Sequence, residues 1–215
     1  MRNFKSIIFD LDGTLLDSSL GIFNSVRYAE KMMGLEKISD SRLKQFVGPP
    51  PKKMYAAVYN LNEEDALKCA KYHREYGRNY GACESTKYEG LVALLETLKS
   101  KNYKLSVATL KSQNIAESVL EYHGIKKYFD AVIGMDAKES LTKAKTIEMA
   151  MESVGVLEKE KTLMVGDSQY DLDGAKECGV KFVAALYGFG FDKEVVGENV
   201  YACINKISEL LKILS

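Results

Sequence analysis

Asp10 and Asp12 stand two apart directly after the apolar run Ile7-Ile8-Phe9. In extended chain, residues i and i+2 project to one face, so both carboxylates can aim at one point. A second pair, Asp167 and Asp171, follows the apolar stretch Thr162 to Val165; four apart, they share a face where that loop leads into helix. Four acids gathered at one end of a sheet would repel each other unless a cation sat among them. An all-oxygen donor set of this kind suits magnesium, which takes a few carboxylates, several waters and a substrate phosphate. Two further residues suit the anion. Thr109 ends another apolar run and offers a hydroxyl beside backbone N–H groups. Lys143 follows Thr142 at a helix start, where an ammonium and unpaired N–H groups both favour phosphate. Lys145 and Lys138 are its local rivals. Taken singly, Asp-x-Asp-Gly-Thr reads as a turn, Thr109 as a strand-end hydroxyl and Lys143 as a solvated lysine. Together they describe a site.

The elements that must position these residues alternate. Residues 5–9, Tyr103 to Ala108, Ala131 to Ile133, Thr162 to Val165 and Lys181 to Ala184 read as short strands. Between and after them run helical faces: Leu91, Leu94, Leu95 and Leu98; Ala116, Val119 and Leu120 with Gly124 to end the helix; Ile147, Ala150, Met151 and Val154; Ile207, Leu210, Leu211 and Leu214. Strand and helix in alternation mean parallel strands joined by crossovers, hence an α/β fold with a doubly wound, Rossmann-like parallel sheet. Such sheets bind ligands at the carboxyl ends of their strands, which is where the acids, Thr109 and Asp167 fall.

Residues 18–83 break that rhythm. One helical face carries Ile22, Val26, Ala29 and Met33, with Gly34 after it; another carries Met54, Val58 and Leu61. Asn62 before Glu63, Glu64 and Asp65 is a good N-cap with acids in the first turn of a tyrosine-rich helix (Tyr72, Tyr76, Tyr80). All three prolines are consecutive, Pro49 to Pro51, between two of these helices. The expected organisation is a core of residues 1–17 and 84–215 with an all-helical insertion, 18–83, between its first two strands.

Composition narrows the function classes. The chain has 215 residues, 46% of them hydrophobic, and 30 basic residues balance 30 acidic ones. Zero net charge argues against a duplex-binding protein, which needs a basic excess to neutralise phosphates. Ordinary hydrophobicity argues against disorder. No window approaches the roughly 20 apolar residues that span a bilayer, and no signal-peptide core is visible, so no membrane association and a cytoplasmic location are expected. Cys69, Cys83, Cys178 and Cys203 form no CxxC pair and read as reduced thiols filling small apolar gaps.

In order and spacing, four blocks resemble the motifs of the haloacid dehalogenase superfamily. Asp10-Leu-Asp-Gly-Thr-Leu is similar to the first, Val107-Ala-Thr109 to the second, Lys143 to the third, and Val165-Gly-Asp167-Ser-Gln-Tyr-Asp171 to the fourth. The likeness spans about residues 5 to 205. Phe46-Val-Gly-Pro-Pro and Tyr88-Glu-Gly resemble stretches of the phosphoglycolate-phosphatase-like branch, whose mobile cap sits where the helical insertion falls. The resemblance implies a Mg2+-dependent phosphatase for a small phosphate monoester, of phosphoglycolate phosphatase or 5′-nucleotidase type, working as monomer or homodimer. Asp10 would be the nucleophile that forms an aspartyl phosphate, and Asp12 the acid and then the base. The metal set would draw on Asp10, Asp12 (through its backbone carbonyl), Asp167 and Asp171, with Asp171 supporting the others. Thr109 and Lys143 would grip the phosphoryl oxygens, with Gly13, Thr14, Leu110, Lys111 and Lys52 near the substrate. Leu110 departs from the small polar residue common after the second-motif hydroxyl, and Lys52 from a frequent arginine. Two other readings stand beside it: a sugar-phosphate mutase, which uses the same carboxylates but keeps its phospho-enzyme for transfer, and a signalling domain that phosphorylates an aspartate beside magnesium on a parallel sheet, against which stand the insertion and Asp12.

Overall fold

In the computed structural model, which describes residues 4–137, 139–191 and 195–214, the first apolar run becomes β1 (Ser6–Phe9), buried along its whole length. The chain continues through β2 (Leu16–Asp17), α1 (Ser19–Met33), α2 (Asp40–Leu43), α3 (Pro51–Tyr59), α4 (Glu63–Tyr80) and β3 (Thr86–Lys87). The second half runs α5 (Leu91–Ser100), β4 (Lys104–Ser112), α6 (Gln113–Tyr122), β5 (Ala131–Met135), α7 (Lys143–Val154), β6 (Thr162–Gly166), α8 (Gln169–Cys178), β7 (Lys181–Ala185), β8 (Val200–Ile204) and α9 (Leu210–Leu214). Six strands form one sheet in the order β5-β4-β1-β6-β7-β8, every pair parallel.

Successive residues of a strand point to opposite faces, and both faces here are covered by helices. Ile7 and Phe9 of β1 join Leu105, Val107, Leu163 and Val165 in an apolar layer with α5 and α6. Ile8 joins Ala108 and Met164 on the other face, with α7 and α8. The expected doubly wound sheet is present, and α1 to α4 form an all-helical cap inserted between β1 and β4. Those helices hold a cluster of their own around Val26, Phe46, Tyr55 and Ala70.

Three features depart from the sequence reading. A sixth strand, β8, pairs with β7 at the sheet edge. The two-residue strands β2 and β3 pair antiparallel where the chain passes into and out of the cap helices. In α3 the fully buried side chain is Tyr55, while Met54, Val58 and Leu61 are half-buried beside it. The expected N-cap of α4 is observed: the Asn62 side chain accepts from the Asp65 N–H at 2.9 Å. All four cysteines are free. Among the described residues, no helix is long and apolar enough to cross a membrane.

Candidate active site

Sheet register brings the chemistry together. Phe9 pairs with Val107 on one side and Val165 on the other, so the residues just beyond them arrive side by side at the carboxyl ends of three adjacent strands. The Asp10 N–H donates to the Val165 carbonyl at 2.9 Å, which extends β1 by one bond and turns the Asp10 side chain into the site. Gly13 then takes φ +83°, and a Cβ there would lie 2.2 Å from Asp167 Oδ2. Only glycine lets the loop pass so close to that carboxylate.

Asp167 follows β6 and is held from two sides. The Thr14 hydroxyl donates to Oδ1 at 3.3 Å and the Phe189 N–H to Oδ2 at 2.8 Å. Asp171 lies in the first turn of α8, where it completes a capping box: Oδ2 accepts from the Ser168 N–H (3.0 Å) and hydroxyl (2.7 Å). Lys143, at the first position of α7, pairs with Asp10 Oδ1 and, at 2.7 Å, with Asp171 Oδ1. All four side chains are buried. The Thr142 hydroxyl caps α7 by accepting from the Lys145 N–H. The rival Lys145 lies half exposed against Glu148, and Lys138 lies outside the described residues.

One ligand oxygen from each of Asp10, Asp167 and Asp171 lies within 4.8 Å of the others. Burial pushes Asp10 up to about 7, opposed by Lys143 and reinforced by Asp171 and Asp12. Burial, then Asp171 and Asp10, hold Asp167 well above the usual carboxylate range. Burial alone would lower the Lys143 ammonium, but Asp10 and Asp171 outweigh it and hold it above its ordinary value. Three carboxylates against one ammonium leave excess negative charge in a dry site. A hard divalent cation would relieve that excess, and three buried carboxylate donors with no sulfur or nitrogen fit one.

Asp12 belongs to a different part of the site. Its carboxylate is not in the trio of close oxygens. It accepts from the Ser18 hydroxyl and from Lys111 Nζ at 2.8 and 2.9 Å, on the wall of a cavity between the sheet and the cap helices. Thr109 is buried in β4, which runs on to Ser112 through a register shift instead of ending at Ala108. The Lys111 N–H donates to Thr109 Oγ1 at 3.2 Å, and Leu110 and Lys111 both face the cavity. Lys52 is not brought there. Its ammonium pairs with Glu63 Oε1 at 2.7 Å on an exposed part of the cap, and the proline run reaches the cavity without it.

Residues that the sequence reading did not single out complete the cavity: Ser18, His73, Arg74 and Glu139. Tyr55 and His73 Nδ1 share a hydrogen bond at 3.2 Å, and burial, with Lys111 and Arg74, lowers His73 to about 3. Its signal was present in the chain. Ala66, Cys69, Ala70 and His73 are spaced as one inward helical stripe, and all four are buried in α4.

Comparison with known proteins agrees with this geometry. The profile of the haloacid dehalogenase-like hydrolase family matches residues 7–185. A 5′-nucleotidase of Pseudomonas aeruginosa is 34% identical over 193 residues, covering 89% of this chain and 87% of that one. A phosphoglycolate phosphatase of Aquifex aeolicus is 30% identical, covering 86% of each. The crystal structure of a predicted phosphatase from Clostridium acetobutylicum superposes with a TM-score of 0.90 at 36% identity, over 97% of both chains. With its four sequence blocks gathered at one end of a parallel sheet and relatives of this kind along nearly its whole length, the chain belongs to the haloacid dehalogenase-like hydrolase family, as a phosphatase.

Proposed function

We propose that the chain hydrolyses a small phosphate monoester through an aspartyl phosphate on Asp10, with Mg2+ as cofactor. The observation that carries this reading is the contact of Asp10, two residues along the chain from the cavity-lining Asp12, with Lys143 beside Asp167 and Asp171. Asp10 attacks phosphorus in line, and its new O–P bond forms as the ester O–P bond breaks. Lys143 and the Thr109 hydroxyl neutralise the phosphoryl oxygens, where charge is spread in the transition state. Asp12 delivers a proton to the departing alkoxide and then takes one from the water that attacks the aspartyl phosphate. Lys111 and Ser18 hold its carboxylate towards the cavity for both jobs. Asp10, Asp167 and Asp171 would hold the Mg2+, whose charge would offset that of the carboxylates and the phosphoryl group.

Residues 18–83 act in this reading as a cap that closes over the core and excludes water. Their separate apolar cluster and the short β2–β3 ribbon at the crossing support that role. The names of the relatives, 5′-nucleotidase and phosphoglycolate phosphatase, support a phosphate monoester of a small molecule. The test is steady-state turnover over a panel of phosphate monoesters with Mg2+ or with EDTA, for the wild type and Asp10→Asn. Turnover with Mg2+ and essentially none in EDTA or in the folded variant is the expected result. Asp10→Asn activity above about one per cent of wild type, with contaminating enzyme excluded, would remove Asp10 as nucleophile.

A further inference from the structure

After β7 the chain lays Gly188-Phe189-Gly190 directly on Asp167. A Cβ at Gly188 would stand 2.3 Å from the Asp167 Cβ, and one at Gly190 would stand 2.5 Å from the Asp167 carbonyl oxygen. No side chain fits at either position, so the two glycines serve the close approach itself. Between them, the Phe189 N–H donates to Asp167 Oδ2 at 2.8 Å. Tyr187, just ahead, acts on the other carboxylate oxygen at one remove. Its hydroxyl donates to the Thr14 carbonyl at 2.9 Å, and the Thr14 hydroxyl donates to Oδ1. One short segment therefore takes part in fixing both oxygens of Asp167.

The side chains of the segment go three ways. Tyr187 packs against the apolar layer on one face of the sheet, and Phe191 against the layer on the other. Phe189, partly buried, packs against the apolar cluster of the cap. Among the described residues in and against that cluster, it is the one that comes from outside residues 18–83. The same residue thus touches Asp167 through its backbone and the cap through its ring. A carboxylate that ligates a cation is oriented by the hydrogen bonds it accepts, and loss of such a partner weakens metal binding. We propose that Phe189 is a positioning residue that couples the seating of the cap to the affinity of the site for Mg2+. With its ring docked in the cap cluster, its N–H is held on Asp167, and the carboxylate is held ready for the cation. Such coupling is reciprocal, so a cation at Asp167 in turn favours the docked ring. The proposal rests on the reading of Asp10, Asp167 and Asp171 as Mg2+ ligands and of residues 18–83 as a closing cap.

The test uses the full chain with no substrate present, so turnover plays no part in it. Calorimetric titration with Mg2+ at matched ionic strength gives the Kd. Phe189→Ala keeps the N–H and loses the ring, and its Kd should rise about 10-fold. Phe189→Leu, which keeps an apolar side chain for the cluster, should recover most of that affinity. A purely packing role would lower the thermal midpoint in EDTA and leave the Kd alone, so the Kd of the folded variants decides. The reverse direction is read from a single indole, because the chain contains no tryptophan. In Phe189→Trp, Mg2+ should shift the emission to the blue and reduce quenching by acrylamide. Should Phe189→Ala fail to fold, that indole decides alone. An unchanged or lower Kd in folded Phe189→Ala, or an indole that ignores saturating Mg2+, overturns the coupling and leaves the metal site standing. Failure of the wild type to bind Mg2+ at all overturns the metal reading and this proposal with it.

Discussion

Esters with poor leaving groups need a proton delivered to the departing oxygen, whereas p-nitrophenolate leaves without help. The second step, attack of water on an aspartyl phosphate, is the same whatever ester formed it. Asp12 is proposed for both, so the two jobs can be pulled apart at a single residue. Loss of a general acid or base typically costs about 10²–10⁴-fold. Asp12→Ala should therefore barely react with alkyl phosphates. With p-nitrophenyl phosphate it should release up to about one equivalent of phenolate and then stall as phospho-Asp10. Rapid acid quench and mass spectrometry would locate that phosphate. Wild-type rates on both ester types would remove the catalytic role of Asp12. The variant also strips Lys111 of its carboxylate, so Asp12→Asn, which keeps the side-chain volume, is the matching control.

At the scale of elements, α4 carries more than its sequence announces. His73 sits on the buried stripe of that helix against Tyr55, and burial holds it neutral, down to about 3 from an ordinary 6.5. Above pH 6.5 neither the folded nor the unfolded chain protonates it. Between 6.5 and about 3 the unfolded chain binds a proton that the folded chain refuses, so stability falls as pH falls. From pH 7 to pH 5 this one group should cost on the order of 2 kcal/mol. Urea unfolding of wild type and His73→Gln at both pH values would measure it, and a variant that loses as much stability as wild type would clear His73. The same helix shows what a chain can and cannot disclose. Strands such as Ser6–Phe9 and Thr162–Gly166 are legible because each is a fully buried apolar run ended by an acid or a glycine. Val200–Ile204 is not, since it lies at the sheet edge with Tyr201 exposed and no clean alternation. The β2–β3 ribbon has two residues a strand, too few for any period to register. Asp10, Asp12, Asp167 and Lys143 stand out through the order and spacing of the blocks that carry them, since each taken singly reads as a turn residue or a solvated side chain. Arg74 is an ordinary helical arginine until folding sets it against Glu139, 65 residues further along the chain.

At the scale of the whole molecule, the parallel sheet brings Asp10 after β1, Asp167 after β6 and Asp171 at the start of α8 to one dry point, where among the described residues Lys143 pairs with Asp10 and Asp171. The fold therefore carries a destabilising charge that its ligand would cancel, which gives the site a signature in stability that needs no turnover. Asp167 is the residue to read it from. Burial, Asp171 and Asp10 disfavour its ionised form, so the neutral isostere should relieve the metal-free protein. Asparagine also fits the local bonds: its carbonyl can accept from the Phe189 N–H, and its amide can donate to the Thr14 hydroxyl. In EDTA at pH 7, Asp167→Asn should melt at or above the wild-type midpoint. Added Mg2+ should reverse the order. A ligand that binds only the folded state at about 100 times its Kd adds about 2.7 kcal/mol. For a chain of this length that is a rise of roughly 5–10 °C in the wild-type midpoint. Asp167→Asn lacks one of the three carboxylates and should show only a small part of that rise. The measurement is a thermal scan of both proteins across a Mg2+ titration, with Ca2+ as a second cation and Na+ to match ionic strength. Equal Mg2+ shifts in both proteins would take Asp167 out of the metal site. A lower midpoint for the variant in EDTA would mean that the hydrogen bonds Asp167 accepts from Thr14 and Phe189 outweigh the repulsion from Asp10 and Asp171.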